Sequence, residues 1–397
     1  MTDIADLDSA DPVALARALI RCDSVTPREG GALALVAGLL EAEGFANHRL
    51  TFSEEGTPDV ENLFARAGAA GPTLCFAGHT DVVPPGDAGR WTHPPFEAAI
   101  ADGRLYGRGA VDMKGGVAAF VAAAVQYRRD AGAAAGSIAL LLTGDEEGPS
   151  INGTRKVLAW MAENGETIDH CVVGEPTSVA TLGDTIKVGR RGSLSGRIEI
   201  TGKQGHVAYP EKAANPCRAM VALLGEILAD RLDEGSAQFQ PSNLEVTSID
   251  VGNPTHNIIP ARARASFNIR FNDAHTPDSL KIRIRNHVAE AVEDTAFQGE
   301  VTFEPNPGDA FLTTAGELVE TMREAVAAET GLEPALTTGG GTSDARYIKD
   351  HCPVLEFGLV GDTMHQLDES VPVADLHALK AIYLRFIELY FTRVAAG

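Results

Sequence analysis

Ser137 to Gly148 reads SIALLLTGDEEG: a nearly unbroken apolar run stops at Thr143-Gly144 and delivers three consecutive acids, Asp145, Glu146 and Glu147, into a turn. A short apolar run with so abrupt an end, flanked by helical patterns, predicts a strand buried on both faces of a mostly parallel sheet. Ligands of such sheets lie beyond the carboxyl ends of the strands. Neighbouring carboxylates repel one another, so holding three together favours a shifted proton affinity or a bound cation. An isolated Asp-Glu-Glu is most often a solvated turn; other strand ends in the chain argue against that here.

Thr73 to Ala77 runs into Gly78-His79-Thr80-Asp81, Cys171 to Val173 into Gly174-Glu175-Pro176, and Pro353 to Phe357 precedes a loop ending at His365. Asp112, in GRGAVDMKGG, stands at the entrance to a helical pattern from Met113 to Arg129. Together these form a mixed nitrogen and oxygen donor set suited to zinc or a similar divalent ion, with too many ligands for one closed tetrahedral site. Two metals sharing a bridging carboxylate would use them all. Gly107 and Gly109 resemble a dinucleotide fingerprint only superficially, because Asp112 stands where the third glycine belongs. These glycines are expected to let the backbone approach the metals.

At 397 residues the chain exceeds what one compact core usually serves, which predicts two domains. A net charge of -22 argues against nucleic acid or an anionic membrane as partner, so an anionic substrate needs a local cationic patch. Five cysteines without CxxC spacing suit a reducing compartment. The acidic opening MTDIADLDSAD has neither the basic nor the apolar region of a signal peptide, and no apolar run is long enough to span a bilayer, so a cytoplasmic protein is expected.

The pattern changes character near Lys187. Residues Val188 to Gly202 alternate polar and apolar, as do Asn243 to Val251 and Ala261 to Phe271, with helical patterns at Ala213 to Leu232 and Asp278 to Thr295 and a last strand at Val301 to Phe303. The predicted fold class is α/β: a mixed, mostly parallel sheet flanked by helices, with an inserted α/β sandwich of one antiparallel sheet and two helices. The expected boundaries are 1–190 and 305–397 for the catalytic domain and 191–304 for the insert.

GHTDVVPPGD, WTHPPF, GRGAVDMKGG, TGDEEG, VVGEP and TMHQLDE, in this order, resemble the dinuclear-zinc peptidases and deacylases that include carboxypeptidases, aminoacylases and acetylornithine deacetylase. The resemblance spans nearly the whole chain and implies two Zn2+ per subunit, with Co2+ as a possible substitute. It puts His79 and Glu175 on one ion, Glu147 and His365 on the other, and Asp112 between them. It makes Glu146 the general base, and Asp81 the carboxylate that orients the His79 ring. It also implies a homodimer formed through the insert, with His206 reaching the partner's site to stabilise the oxyanion.

Within the family, GEPTS, GDTIKVGRRGSLSG and GGGTSDARYI resemble the members that remove a succinyl group from diaminopimelate in lysine biosynthesis. The resemblance gives substrate roles to Lys187, Tyr209 and Asn257. Arg190, Arg191 and Ser193 are placed to hold a carboxylate, and Gly341 and Thr342, after Gly340, to offer backbone N–H groups to a second one. Gly361 departs from an asparagine that some members carry four residues before the histidine. Acetylornithine deacetylation is the alternative within the class, and a non-catalytic binding homologue the alternative outside it.

Overall fold

The computed structural model describes residues 7–68, 71–131, 136–305, 307–314 and 316–394. More than half of the opening stretch that carried the expectation of no leader lies outside them. The chain divides into two compact units: the residues up to Val188 with Thr313–Thr337 and Ser343 onward, and Gly189–Leu312 with Thr338–Thr342. The second begins before and ends after the expected boundaries of 191 and 304, and takes in Thr338–Thr342 as well. Gly189–Arg190 pairs antiparallel with Phe311–Leu312, so the segments entering and leaving are hydrogen-bonded to each other and move into the same unit.

The first unit is built on an eight-stranded sheet in the order Ala46–Phe52, Val60–Ala67, Ser137–Thr143, Thr73–His79, His170–Val173, Val354–Glu356, Thr185–Lys187, Ala335–Thr337. Its four middle strands run parallel. Ser137–Thr143 and Thr73–His79 are buried at every position, which is why they read as continuous apolar runs. The parallel register brings their carboxyl ends to one edge. Ala46–Phe52 and Val60–Ala67 run antiparallel to each other, and neither was expected from the sequence; the former is a half-exposed edge strand with no clean alternation.

Helices cover the sheet. Asp11 caps the first, Pro12–Ile20, by accepting from the Val13 N–H, with Pro12 supplying a fixed φ at its first position. Lys114–Ala131 is buried from Lys114 through Val125. At Gly116 a Cβ would sit 2.6 Å from the Gly174 carbonyl oxygen, so only glycine lets this helix meet the loop carrying Glu175 backbone to backbone. Phe76 stacks on Phe120 at 4.3 Å, and Tyr383 of the last helix, Val373–Val394, packs edge-on to both. Rings withdrawn this fully contribute roughly 1.5–3 kcal/mol each.

In the second unit Gly192–Thr201 lies between Arg262–Phe271 and Gln298–Phe303, with Asn243–Asp250 as an outer strand, all antiparallel. Leu194, Ile198, Phe267 and Ile269 form one core with Leu223 and Ile284 of the helices Pro216–Ala229 and Pro277–Val292. The first of these helices starts later than its periodicity suggested, because Asn215 caps it and Pro216 fixes its first turn.

Asp230, at the end of that helix, accepts from Arg283 Nε at 2.6 Å and lies 2.9 Å from His287 Nε2. The Arg283 guanidinium, assisted by His287, holds the Asp230 carboxyl down to about 2. A folded value below the unfolded one stabilises the fold above about pH 4, and that gain is lost as pH falls toward 2; solvent screening of a pair this near the surface leaves about 1 kcal/mol. Asp230→Asn should therefore cost the second unit about 1 kcal/mol at pH 7, with the deficit shrinking by about half at pH 3. Denaturant titration at the two pH values measures it, and a deficit independent of pH would count against the ion pair.

All five cysteines are free, with Cys75, Cys171 and Cys352 buried. Among the described residues no helix is long and apolar enough to cross a membrane.

Candidate metal centre

The strand Thr73–His79 ends on His79, 1% exposed, whose Nδ1 lies 2.9 Å from the Asp81 backbone carbonyl. A carbonyl only accepts, so Nδ1 carries the hydrogen and Nε2 is left to bind. That nitrogen lies 3.1 Å from Asp112 Oδ1 and 3.9 Å from Glu175 Oε1. His365 Nε2 lies 3.2 Å from Asp112 Oδ2 and 2.9 Å from Glu147 Oε1. Asp112 thus presents one oxygen to each imidazole.

Asp81 makes more contacts than the sequence expectation gave it. Its carboxylate is 3.6 Å from His79 Nδ1, while its own backbone carbonyl makes the closer ring contact at 2.9 Å. The carboxylate also accepts from the Glu146 N–H at 3.3 Å, the Glu147 N–H at 3.1 Å and Thr26 Oγ1 at 2.6 Å. Asp81 therefore shapes the turn that carries the two glutamates. Gly107 and Gly109 also differ from expectation. A Cβ at Gly107 would strike Ile20 Cγ2 at 2.4 Å and one at Gly109 would strike Val82 Cγ1 at 2.7 Å, so packing against apolar side chains demands them.

The electrostatics call for cations. Among the described residues, Asp81, Asp112, Glu146, Glu147 and Glu175 gather around the imidazoles of His79 and His365. Bonds to Asp112 and Glu147 push His365 up to about 10. Burial works against charging His79, yet Asp112, Glu146 and Glu175 raise it well above its ordinary value. Burial, reinforced by Glu175, raises the Glu146 carboxyl well above the usual range. Both imidazoles are drawn toward taking protons because positive charge is scarce, and divalent ions would supply it. His79, Asp112 and Glu147 offer ligand atoms within 4.8 Å of one another, and so do His79, Glu146 and Glu175. The donor set fits a metal.

Lys187 lies on Thr185–Lys187 beside Glu356 and Thr337. The other proposed substrate residues belong to the second unit. Arg190 is buried and Nη1 donates to the Gly341 carbonyl at 3.1 Å, which makes it a brace for the glycine-rich segment. Arg191 Nη1 donates to Asn243 Oδ1 at 2.9 Å, and Ser193 Oγ accepts from Asn268 at 3.1 Å. Arg270 faces both Asn243 and Ser193 across the ladder, a neighbour of Arg191 that sequence spacing did not single out. Only strand register could have found it. His206 pairs with Ile258, and its Nδ1 accepts from the Ala208 N–H at 3.0 Å, with the Tyr209 ring 5.7 Å away. The Asn257 carbonyl accepts from the Val207 N–H at 3.1 Å. Thr342 is half-buried and Gly341 exposed, with nothing within 4 Å of where its Cβ would be.

Acids and imidazoles gathered at the carboxyl edge of a parallel sheet define a metal-dependent hydrolase, and comparison with known families agrees. The description Peptidase family M20/M25/M40 matches residues 75–389, and the chain belongs to that family. It is 56% identical over 387 residues to a succinyl-diaminopimelate desuccinylase of Methylorubrum populi, covering 97% of this chain and 100% of that one. In fold it is similar to an M20 family metallo-carboxypeptidase from Sulfolobus solfataricus, at 18% identity and a TM-score of 0.76 over 96% of this chain and 99% of that one. A dinuclear metal-binding peptidase of the M20 family from Bacillus subtilis gives 15% identity and a TM-score of 0.71 over 98% and 99% of the two chains.

Proposed function

We propose that this chain hydrolyses the amide of N-succinyl-LL-2,6-diaminopimelate to succinate and LL-2,6-diaminopimelate, a step in lysine and diaminopimelate biosynthesis carried out in the cytoplasm. The observation that carries the hydrolytic chemistry is Asp112, whose two oxygens each face a different imidazole. The choice of acyl group rests on the 56% identity to a relative of that name.

His79 and Glu175 would hold one divalent ion and Glu147 and His365 a second, with Asp112 shared; zinc suits this donor set, and cobalt can replace it. Such ions polarise the amide carbonyl and make water easier to ionise. Glu146 takes a proton from the attacking water and returns it to the amide nitrogen as the C–N bond breaks. Arg191 and Ser193 take the terminal carboxylate of the succinyl group, with Lys187, Tyr209, Asn257, Gly341 and Thr342 as further substrate contacts. His206 serves the oxyanion of the partner subunit.

A homodimer through the second unit is part of the same proposal. Val221 and Leu228, 69% and 56% exposed, flank the open Gly225 on one helix face, and Ile249 stands exposed on the outer strand. Helix positions separated by four and three residues share a face, and a glycine between apolar neighbours admits close approach. Val221→Asp with Leu228→Asp should yield monomers in sedimentation, and an unchanged dimer would move the interface elsewhere.

Metal analysis and an assay of the purified protein test the function. Two divalent ions per chain and loss of succinyl-diaminopimelate hydrolysis on chelation are expected. Full activity with one ion or none would sink the dinuclear scheme.

A further inference from the structure

Glu369 closes the segment TMHQLDE, four residues beyond His365, where its neighbour Asp368 gives it the look of a solvated acid. Its side chain is instead wholly buried. Oε2 accepts from Arg108 Nη1 at 2.7 Å and the Gly109 N–H at 3.1 Å, and Oε1 from the Val111 N–H at 2.9 Å and the Asp112 N–H at 3.2 Å. The carboxylate is thereby saturated, and three of its four donors are main-chain groups of the turn that ends in Asp112.

We propose that Glu369 is a positioning residue of the metal centre, whose carboxylate moulds the Gly109–Asp112 turn and thereby fixes Asp112 against His365. This rests on the two-metal scheme proposed above and adds a residue that touches neither ion nor substrate.

The connection runs through both ligands. The Glu369 backbone carbonyl accepts from the Gly107 N–H at 2.9 Å, and Arg108 Nη1 also donates to the Gln366 carbonyl at 3.3 Å. The Arg108 guanidinium lies 5.2 Å over the Trp91 ring. His365 and Asp368 both take left-handed backbone, with φ of 61° and 56°, a conformation that persists in such residues only where the surroundings enforce it. Asp368 is pinned by the Thr92 N–H at 2.7 Å and Thr92 Oγ1 at 2.8 Å. Between these anchors Glu369 reaches back to the Asp112 turn, and Asp112 Oδ2 meets His365 Nε2 at 3.2 Å. The molecule uses the same device once more: the Asp81 carboxylate collects the N–H groups of Glu146 and Glu147. Each buried carboxylate spends its charge on the backbone of a neighbouring acid-bearing turn, where N–H groups deprived of an acceptor would force the turn to open.

Cobalt titration separates this from a purely structural Arg108–Glu369 pair. Parent protein, Glu369→Gln and Glu369→Asp are stripped and titrated with Co2+, following affinity by calorimetry and ligand geometry by visible absorption, with thermal unfolding of the metal-free proteins alongside. Loss of a partner to a ligand-bearing group typically weakens metal affinity by about 10–100-fold. That loss and an altered cobalt spectrum are expected for Glu369→Gln, with Glu369→Asp, which keeps a charge opposite Arg108, intermediate. Should the Gln variant fail to fold, the Asp variant is judged by the same two readouts. Parental cobalt affinity and spectrum in a folded variant, whatever its thermal stability, would overturn the proposal. A parent that binds no cobalt would instead strike at the two-metal scheme itself.

Discussion

Glu146→Ala is expected to keep both metal ions of the proposed centre and to lose a factor of roughly 10²–10⁴ in kcat, the usual contribution of general acid-base catalysis. Glu147→Ala, one residue on, should lose metal instead. Their backbones are held alike by the Asp81 carboxylate, so the difference lies in where the side chains go. Glu147 Oε1 is 2.9 Å from His365 Nε2, close enough for the two to serve the same ion. Among the described residues Glu146 has no comparable contact to His365, and burial with Glu175 beside it raises its carboxyl well above the usual range while no cation is near. It also offers an oxygen within 4.8 Å of His79 and Glu175, so metal analysis of both variants decides its role. Equal metal loss in the two would make Glu146 a ligand.

The second large effect concerns the acyl group. Succinyl differs from acetyl by a terminal carboxylate, and a chain of net charge -22 must meet that charge with local cations. A site built to bond a charged group rejects a substrate lacking it, since its donors are left unpaired, and such discrimination reaches roughly 10⁴–10⁵. We expect kcat/KM for N-succinyl-diaminopimelate to exceed that for N-acetylornithine by at least about 10², a cautious part of that range. Arg191→Ala should erode the preference by lowering succinyl turnover, with little gain on acetyl substrates. Comparable turnover of N-acetylornithine by the parent would replace the desuccinylase assignment with a deacetylase.

Fold and site were unequally legible in the chain. Strands such as Ser137–Thr143 announce themselves because burial on both faces demands an apolar residue at every position. The acids that follow them stand out by contrast. Register leaves a fainter trace: Arg270 becomes a neighbour of Ser193 only once two strands pair antiparallel. Contacts to main-chain N–H groups leave none at all, because every residue except proline offers one. That is why the bonds from Asp81 to the Glu146 turn, and the place of Glu369, whose partner Arg108 lies 261 positions away, cannot be read from the chain alone.

The insertion also fixes the order in which the centre can be completed during synthesis. His170–Val173 pairs on one side with Thr73–His79, but its other neighbour, Val354–Glu356, is made about 180 residues later, and His365 later still. At ribosomal rates that interval is roughly 10–40 s, during which an apolar strand edge is exposed on the nascent chain. A product terminated before Val354 carries His79, Asp112, Glu147 and Glu175 but lacks the strand that pairs beside His170–Val173. Chaperone dependence and aggregation of such fragments should therefore track the presence of this one three-residue strand.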